Sequence, residues 1–312
     1  VTRFAFFHGK VVPIEQATVS VMNHAFNYGT AVFGGIRAYW NEEEEELLIF
    51  RPMDHFRRLL QSASLMRMSV PYTAEQLTQH LIDLLRAEEF RQNVYVRPLV
   101  YKDMNGIGVR LHDVPDALSM WALPFGKYIS AEDGTHVHFS AWRRVDDNAI
   151  PARAKVSGSY ANSALIKSDA VLSGYDEALV LNQDGHVSEA SAANIFIVRN
   201  GQAITPPVQS NVLEGITRRT FMQLMRDELG VEVVERDIDR TEVYLAEEAF
   251  LCGTGVQIAA ITQVEHRPIG SAEMGPITRS LKTLFGQIAQ GKVQKYREWC
   301  TPVFASEPSP SR

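Results

Sequence analysis

AKVSGSYANS, residues 154–163, sets Lys155 among alanine, valine, serine and glycine, with Tyr160 five positions on. Small neighbours let a planar ligand come close. They also let the amine shed part of its water, which favours the neutral, nucleophilic form. The commoner reading of such a lysine is a solvated charge on a loop, and these ten residues leave both open. From Tyr160 the pattern turns helical and stops near Gly174, so Lys167 falls inside that helix and reads as solvated.

Downstream, EALVLNQDGHVSEA is a hairpin, with apolar runs flanking Asp184-Gly185, and NIFIVRNGQAITP repeats that logic around Asn200-Gly201. GITRRTFMQLMRDELG reads as a helix closed by Gly230. VEVVERDI reads as a strand, 241–247 as a short helix, AFLCGTGVQIAAITQV as strand, glycine turn and strand, and 277–290 as the last regular helix. The closing ASEPSPSR is too small and polar to pack and is expected to fray. Upstream, FAFFHGKVVPIE gives two short strands around His8-Gly9. GGIRAYW and ELLIF are strands joined by NEEEE, whose like charges call for a solvated hairpin tip. Residues 54–68 and 74–90 read as helices, and VYVRPLVY and ALSMWALPF as strands. GKYISAEDG, 126–134, is short and polar with glycine at both ends. It is the expected connection between a smaller α+β domain, 1–125, and a larger domain, 135–312, that carries Lys155. There is no internal repeat and no Rossmann glycine fingerprint.

The totals suit a globular protein of one or two domains: 312 residues, 45 % apolar and 22 % charged. A net charge of -6 argues against nucleic-acid or anionic-membrane partners, and no apolar block is long enough to span a bilayer. VTRFAFFHGKVV lacks a basic segment leading into a long apolar stretch and cleavage site, so a cytoplasmic location is the expectation. Two cysteines, Cys252 and Cys300, argue against a disulfide framework or a thiolate metal cluster, and no metal is expected.

Several segments offer places for an anion. In LEGITRRTF, Gly215, Ile216 and Thr217 fall at a helix start, where backbone N–H groups lack helical partners and a hydroxyl adds a donor; plain helix capping is the alternative. CGTGVQ is a second small-residue turn whose amides can form an anion nest. HFRRLL puts Arg57 and Arg58 on one helix, so only one faces inward. Arg97 lies on a strand opposite Val96, and an arginine there calls for a fixed anionic partner. Glu189 opens a small-residue segment as either a cap or a partner for a basic ring nitrogen. A lysine for a Schiff base, donors for a phosphate and a carboxylate for a pyridinium together make the equipment of pyridoxal 5'-phosphate chemistry.

The sequence resembles the class IV, or fold-type IV, aminotransferases, and among them the branched-chain amino acid aminotransferases. The resemblance runs over about 6–299. It is carried by NHAFNYGTAVFGGIRAY, HFRRLLQSA, YVRPLVY, GIGV, AKVSGSYANS, GYDEALVLNQDGHVSEASAANIF, LEGITRR and FLCGTGVQIAAI, in order. It implies a mixed α/β and α+β two-domain fold, like that of D-amino acid aminotransferase. It implies Lys155 as the Schiff-base lysine, with Arg58, the Ile216-Thr217 turn after Gly215, and Thr254 at the cofactor phosphate. Glu189 would meet the pyridine nitrogen and Tyr160 the phenolic oxygen, with Gly253 and Gly255 in the turn near cofactor and substrate. On the substrate side, Tyr95 and Arg97 belong to the pocket wall. Arg97, Tyr28 and the turn Gly255-Val256 would organise a carboxylate. Phe33, Gly35, Ile107, Val109, Phe125 and Tyr128 would line an apolar pocket, with the Ile107–Val109 loop coming from the neighbouring subunit of a homodimer or higher homo-oligomer.

The implied reaction moves an amino group between branched-chain L-amino acids and 2-oxoglutarate, the cofactor alternating between pyridoxal and pyridoxamine phosphate. Three departures stand out: Gly34 where the usual pattern has Glu, Ala193 where Glu or a similar polar residue is common, and GTGVQ in place of GTAAE. They lead to an expectation of relaxed scope, toward aromatic amino acids or (R)-amines. The rival readings are a D-amino acid or (R)-amine aminotransferase, an aminodeoxychorismate-type lyase and, last, a binding protein without catalysis.

Overall fold

The computed structural model describes residues 2–126 and 134–305. Tyr128 and all of the expected connection except its end glycines lie outside the described residues, as does ASEPSPSR beyond Ala305. The chain divides into two compact units, Val1–Gly126 with Phe285–Arg312, and Lys127–Leu284.

The first unit contains β1 (Phe4–Phe7), β2 (Lys10–Pro13), α1 (His24–Tyr28), β3 (Ala31–Phe33), β4 (Ile36–Asn41), β5 (Glu46–Phe50), α2 (Pro52–Leu65), α3 (Ala74–Glu88), β6 (Val94–Lys102) and β7 (Asp116–Pro124). The second contains β8 (Thr135–Arg143), α4 (Tyr160–Leu172), β9 (Glu177–Leu181), β10 (Val187–Ala190), β11 (Asn194–Arg199), β12 (Gln202–Thr205), α5 (Ile216–Leu229), β13 (Val233–Glu235), α6 (Arg240–Val243), β14 (Glu248–Gly253), β15 (Gln257–Val264) and β16 (Arg267–Pro268). The boundary between units falls within α7 (Pro276–Ala289), and β17 (Cys300–Pro302) follows.

The first sheet runs β17-β5-β4-β6-β7-β1-β2, with β3 beside β6, and all its described pairs are antiparallel. Its helices start where the chemistry allows. Pro52 opens α2, where a missing N–H costs nothing. Thr73 and Gln76 form a capping box on α3.

The second sheet runs β10-β9-β8-β15-β14-β11-β12-β13, with parallel pairs at β9–β8, β8–β15 and β12–β13. Alternation along β9 sorts its side chains. Leu179 and Leu181 enter the main core with Val137, Ile195 and Leu251, while Ala178 and Val180 meet Ile166 and Ala170 of α4 on the other face. Asn200 and Gly201 both take positive φ, 50° and 73°, which a tight hairpin turn requires.

Two expectations need correction. The domain placed at 135–312 ends early, since Phe285–Arg312 belong with the first unit. There β17 pairs with β5, and the buried Glu46 carboxylate accepts the backbone N–H groups of Val303, Phe304 and Ala305 at 3.0, 2.8 and 2.7 Å. Glu46→Ala is therefore expected to lower the denaturation midpoint, by about 2–3 kcal/mol of stability, because three donors lose one charged acceptor. A midpoint equal to wild type would contradict it. Lys167 is not simply solvated either. It pairs with the buried Glu177 carboxylate at 3.1 Å and with the Asp176 carbonyl. No described helix is long and apolar enough to cross a membrane.

Candidate active site

The second unit gathers one group of the singled-out residues. Lys155 sits between buried Ala154 and Val156, is itself half-buried, and places Nζ 5.3 Å from the centre of the Tyr160 ring. Its loop is stitched to a second one. Arg144 Nε donates to the Asn211 carbonyl at 3.1 Å, Asp147 N to Asn211 Oδ1 at 3.1 Å, and Arg153 Nε to Glu214 Oε1 at 3.1 Å. That second loop ends at Gly215, whose next residues begin α5.

Glu189, on β10, is buried, and the chain surrounds its carboxylate with donors. Arg144 Nη2 lies 2.7 Å from Oε1, while Oε2 accepts from Asn194 Nδ2 at 2.9 Å and from Leu213 N at 3.2 Å. An ionised carboxylate has about four acceptor positions, so these donors, among the described residues, leave one. At the head of α5 the N-cap residue is Gly215, which has no side chain to cap the first turn. A Cβ on Gly215 would fall 2.2 Å from Asn194 Oδ1, so only glycine fits there. β14 ends at Gly253, and the turn after it holds Thr254, Gly255 and Val256. A Cβ on Gly253 would lie an ordinary 3.9 Å from Ala192 O and Ala193 Cα, so this turn rests on the segment that follows Glu189. Two of the sequence departures, Ala193 and the GTGVQ turn, are thus neighbours.

The first unit gathers a second group. Tyr95 and Arg97 share one face of β6. Arg97 Nη2 donates to Tyr95 Oη at 3.0 Å, and its guanidinium stands 4.3 Å over the Phe33 ring and 6.0 Å from that of Trp121. Phe125 packs on Tyr95 at 5.2 Å between ring centres. Gly35 leaves room for this arrangement, because a Cβ there would fall 2.3 Å from Tyr95 Oη. Gly35→Ala must therefore swing Tyr95 and break its bond from Arg97. The expected result is about a ten-fold or greater loss in kcat/KM for the amino donor, measured by initial rates; an unchanged value would mean that this pair does not shape the site. At the neighbouring departure, Gly34, a Cβ would come 2.8 Å from Pro98 Cγ, so a larger residue requires the proline ring to move.

Other residues stand apart from this group. Arg58 is half-buried on α2, while Arg57 points outward toward Glu75. Tyr28 is joined to the loop of Ile107 and Val109, where Gly108 N donates to Tyr28 Oη at 3.2 Å. Ile107 and Val109 are 97 % and 73 % exposed. Sequence reasoning passed over Arg144, Asn194 and Leu213. They come from separate parts of the sequence and share no local signal.

A model of the amino-transferase class IV family matches residues 31–264. The chain belongs to the class IV aminotransferases. This aminotransferase is 47 % identical to a probable branched-chain-amino-acid aminotransferase of Aquifex aeolicus, over 96 % of this chain and 97 % of that one. It is 40 % identical to a crystallised branched-chain aminotransferase of Thermoproteus uzoniensis with norvaline, with a TM-score of 0.93 over 97 % of this chain and 100 % of that one. A branched-chain amino acid aminotransferase of Thermobaculum terrenum in its PLP form also matches, at 40 % identity and a TM-score of 0.93, over 97 % and 99 % of the two chains. The aminotransferase's second unit offers a half-buried primary amine, a buried carboxylate with one acceptor position left and a glycine-led helix start. That donor set fits an aldehyde, a protonated ring nitrogen and a phosphate on one molecule.

Proposed function

We propose that this aminotransferase uses pyridoxal phosphate to move the amino group of leucine, isoleucine or valine to 2-oxoglutarate, giving branched 2-oxo acids and L-glutamate. The near-full-length kinship with branched-chain-amino-acid aminotransferases carries the substrate class. When bound, the cofactor supplies an aldehyde carbon for amine exchange and a ring that draws electron density from the substrate's α-carbon.

In this reading Lys155 Nζ holds the cofactor and, once freed, takes the proton from the substrate's α-carbon and then, as general acid, delivers it to the carbon that carried the cofactor's aldehyde. Glu189 sets a negative charge against the ring nitrogen. Tyr160 faces the ring's oxygen. The amides of Ile216 and Thr217 and the Thr254 hydroxyl hold the phosphate, with Gly253 keeping the turn close. Arg97, braced by Tyr95, receives a carboxylate. Phe33, Phe125 and Tyr128 give apolar walls, where burial and shape discriminate between side chains.

The same reading makes the enzyme a homodimer or larger homo-oligomer. Val21, Met22, Phe26, Ile107 and Val109 form exposed apolar surface on two short stretches, tied together by Asn23 Nδ2 to Asp103 Oδ1 at 2.9 Å and Gly106 N to Met22 O at 3.1 Å. A second copy would cover it, and Tyr28 would reach the neighbouring pocket along with Ile107 and Val109. The free, buried thiols of Cys252 and Cys300 suit the reducing cytoplasm, where we place the enzyme.

A donor panel tests the proposal: L-leucine, L-phenylalanine, D-alanine and (R)-1-phenylethylamine with 2-oxoglutarate, followed by glutamate formation and the cofactor spectrum. L-leucine is expected to be turned over best. Turnover of (R)-1-phenylethylamine without that of leucine would overturn the substrate class.

A further inference from the structure

Asn194 opens β11 and is buried. Its amide group spends one proton on Glu189 Oε2, at 2.9 Å, and the other on the Leu213 carbonyl, at 3.1 Å. Leu213 N donates to the same Glu189 Oε2, at 3.2 Å. These bonds form a closed ring of three residues. The amide oxygen of Asn194 then occupies the space that a Cβ on Gly215 would need. Leu213 stands two residues before Gly215 and three before the start of α5. A buried ring of hydrogen bonds is stiff, since its members strengthen one another and water cannot replace a lost one. A shift of the Glu189 carboxylate is therefore carried through Asn194 and Leu213 to the head of α5.

We infer that Asn194 is a positioning residue that couples recognition of the cofactor's ring nitrogen, at Glu189, to recognition of its phosphate, at the Ile216-Thr217 turn. The inference rests on the assignments of Glu189 and of that turn made above. Each half of the cofactor orders the ring for the other, so the two halves bind cooperatively.

The test uses the full-length apoprotein and four non-covalent probes: pyridoxamine phosphate, pyridoxamine, and the analogue of each with carbon in place of the ring nitrogen. Dissociation constants come from quenching of protein fluorescence. In the wild type, losing both the nitrogen and the phosphate is expected to cost less than the two separate losses combined, with a coupling of about five-fold or more. In Asn194→Ala and the isosteric Asn194→Asp, which lacks both amide protons, the coupling is expected to vanish. A merely structural Asn194 would instead weaken all four probes alike and leave the coupling intact, which would overturn the inference. So would additive losses in the wild type, a result that needs no variant to fold. If the ring-nitrogen analogue binds the wild type as tightly as pyridoxamine phosphate, the Glu189 assignment fails. If removing the phosphate costs nothing, the assignment of the turn fails. Either outcome differs from failure of the coupling.

Discussion

Lys155→Ala is expected to lose transamination by roughly 10³-fold or more, together with the absorbance of a lysine-linked cofactor, because under the proposed mechanism one amine both holds the cofactor and moves the α-proton. The substitution should leave the fold intact. The loop is held by backbone bonds, Ala154 N to Pro151 O at 3.1 Å and Val156 N to Ala154 O at 2.9 Å, and by the buried side chains on either side of the lysine. Losing the half-buried Lys155 side chain removes an amine and a contact with the Tyr160 ring without opening the core. The informative measurement is therefore paired. Thermal denaturation should stay near wild type while leucine turnover disappears. Borohydride reduction of the wild type should attach the cofactor to Lys155. Multiple turnovers at the normal rate in the variant, or attachment to another lysine, would remove the central assignment.

The sequence carried the local half of this architecture. The hairpins around Asp184-Gly185 and Asn200-Gly201, the β6 strand with Arg97 opposite Val96, and the helix closed by Gly230 all rest on period and turn chemistry within a dozen residues. What escaped depends on distant partners. β17 is a strand because β5 and the Glu46 carboxylate receive it, some 250 residues away in sequence, so nothing in CTP alone signals it. The same holds for the site. Lys155 stands out through its small neighbours and Glu189 through the segment that follows. The donors around Glu189 come from a strand end, a strand start and a loop, and only folding makes them one cluster. Likewise the bond from Gly108 N to Tyr28 Oη spans 80 residues and has no local signature.

Glu189→Gln should lower the rate of the leucine half-reaction by roughly 10²- to 10³-fold, the scale of losing a pre-aimed charge beside a reacting centre. The substitution changes one atom in shape, yet it cannot be accommodated quietly. Every described donor around this side chain is an N–H group: Arg144 Nη2 at 2.7 Å on one oxygen, and Asn194 Nδ2 at 2.9 Å with Leu213 N at 3.2 Å on the other. A glutamine amide must turn its own NH2 toward one of these sides, setting donor against donor in a buried place and leaving a neighbour without an acceptor. Turned toward Arg144, it loses an ion pair. Turned toward Asn194 and Leu213, it opens the ring that leads to α5. Either choice also removes the negative charge that would face the ring nitrogen. Glu189→Asp keeps the charge but is one carbon shorter. It should therefore fall between wild type and the glutamine variant if charge and placement both count. Single-turnover measurements with leucine separate these effects from product release, and a glutamine variant within three-fold of the wild-type rate would show that the buried carboxylate serves the scaffold and not the chemistry.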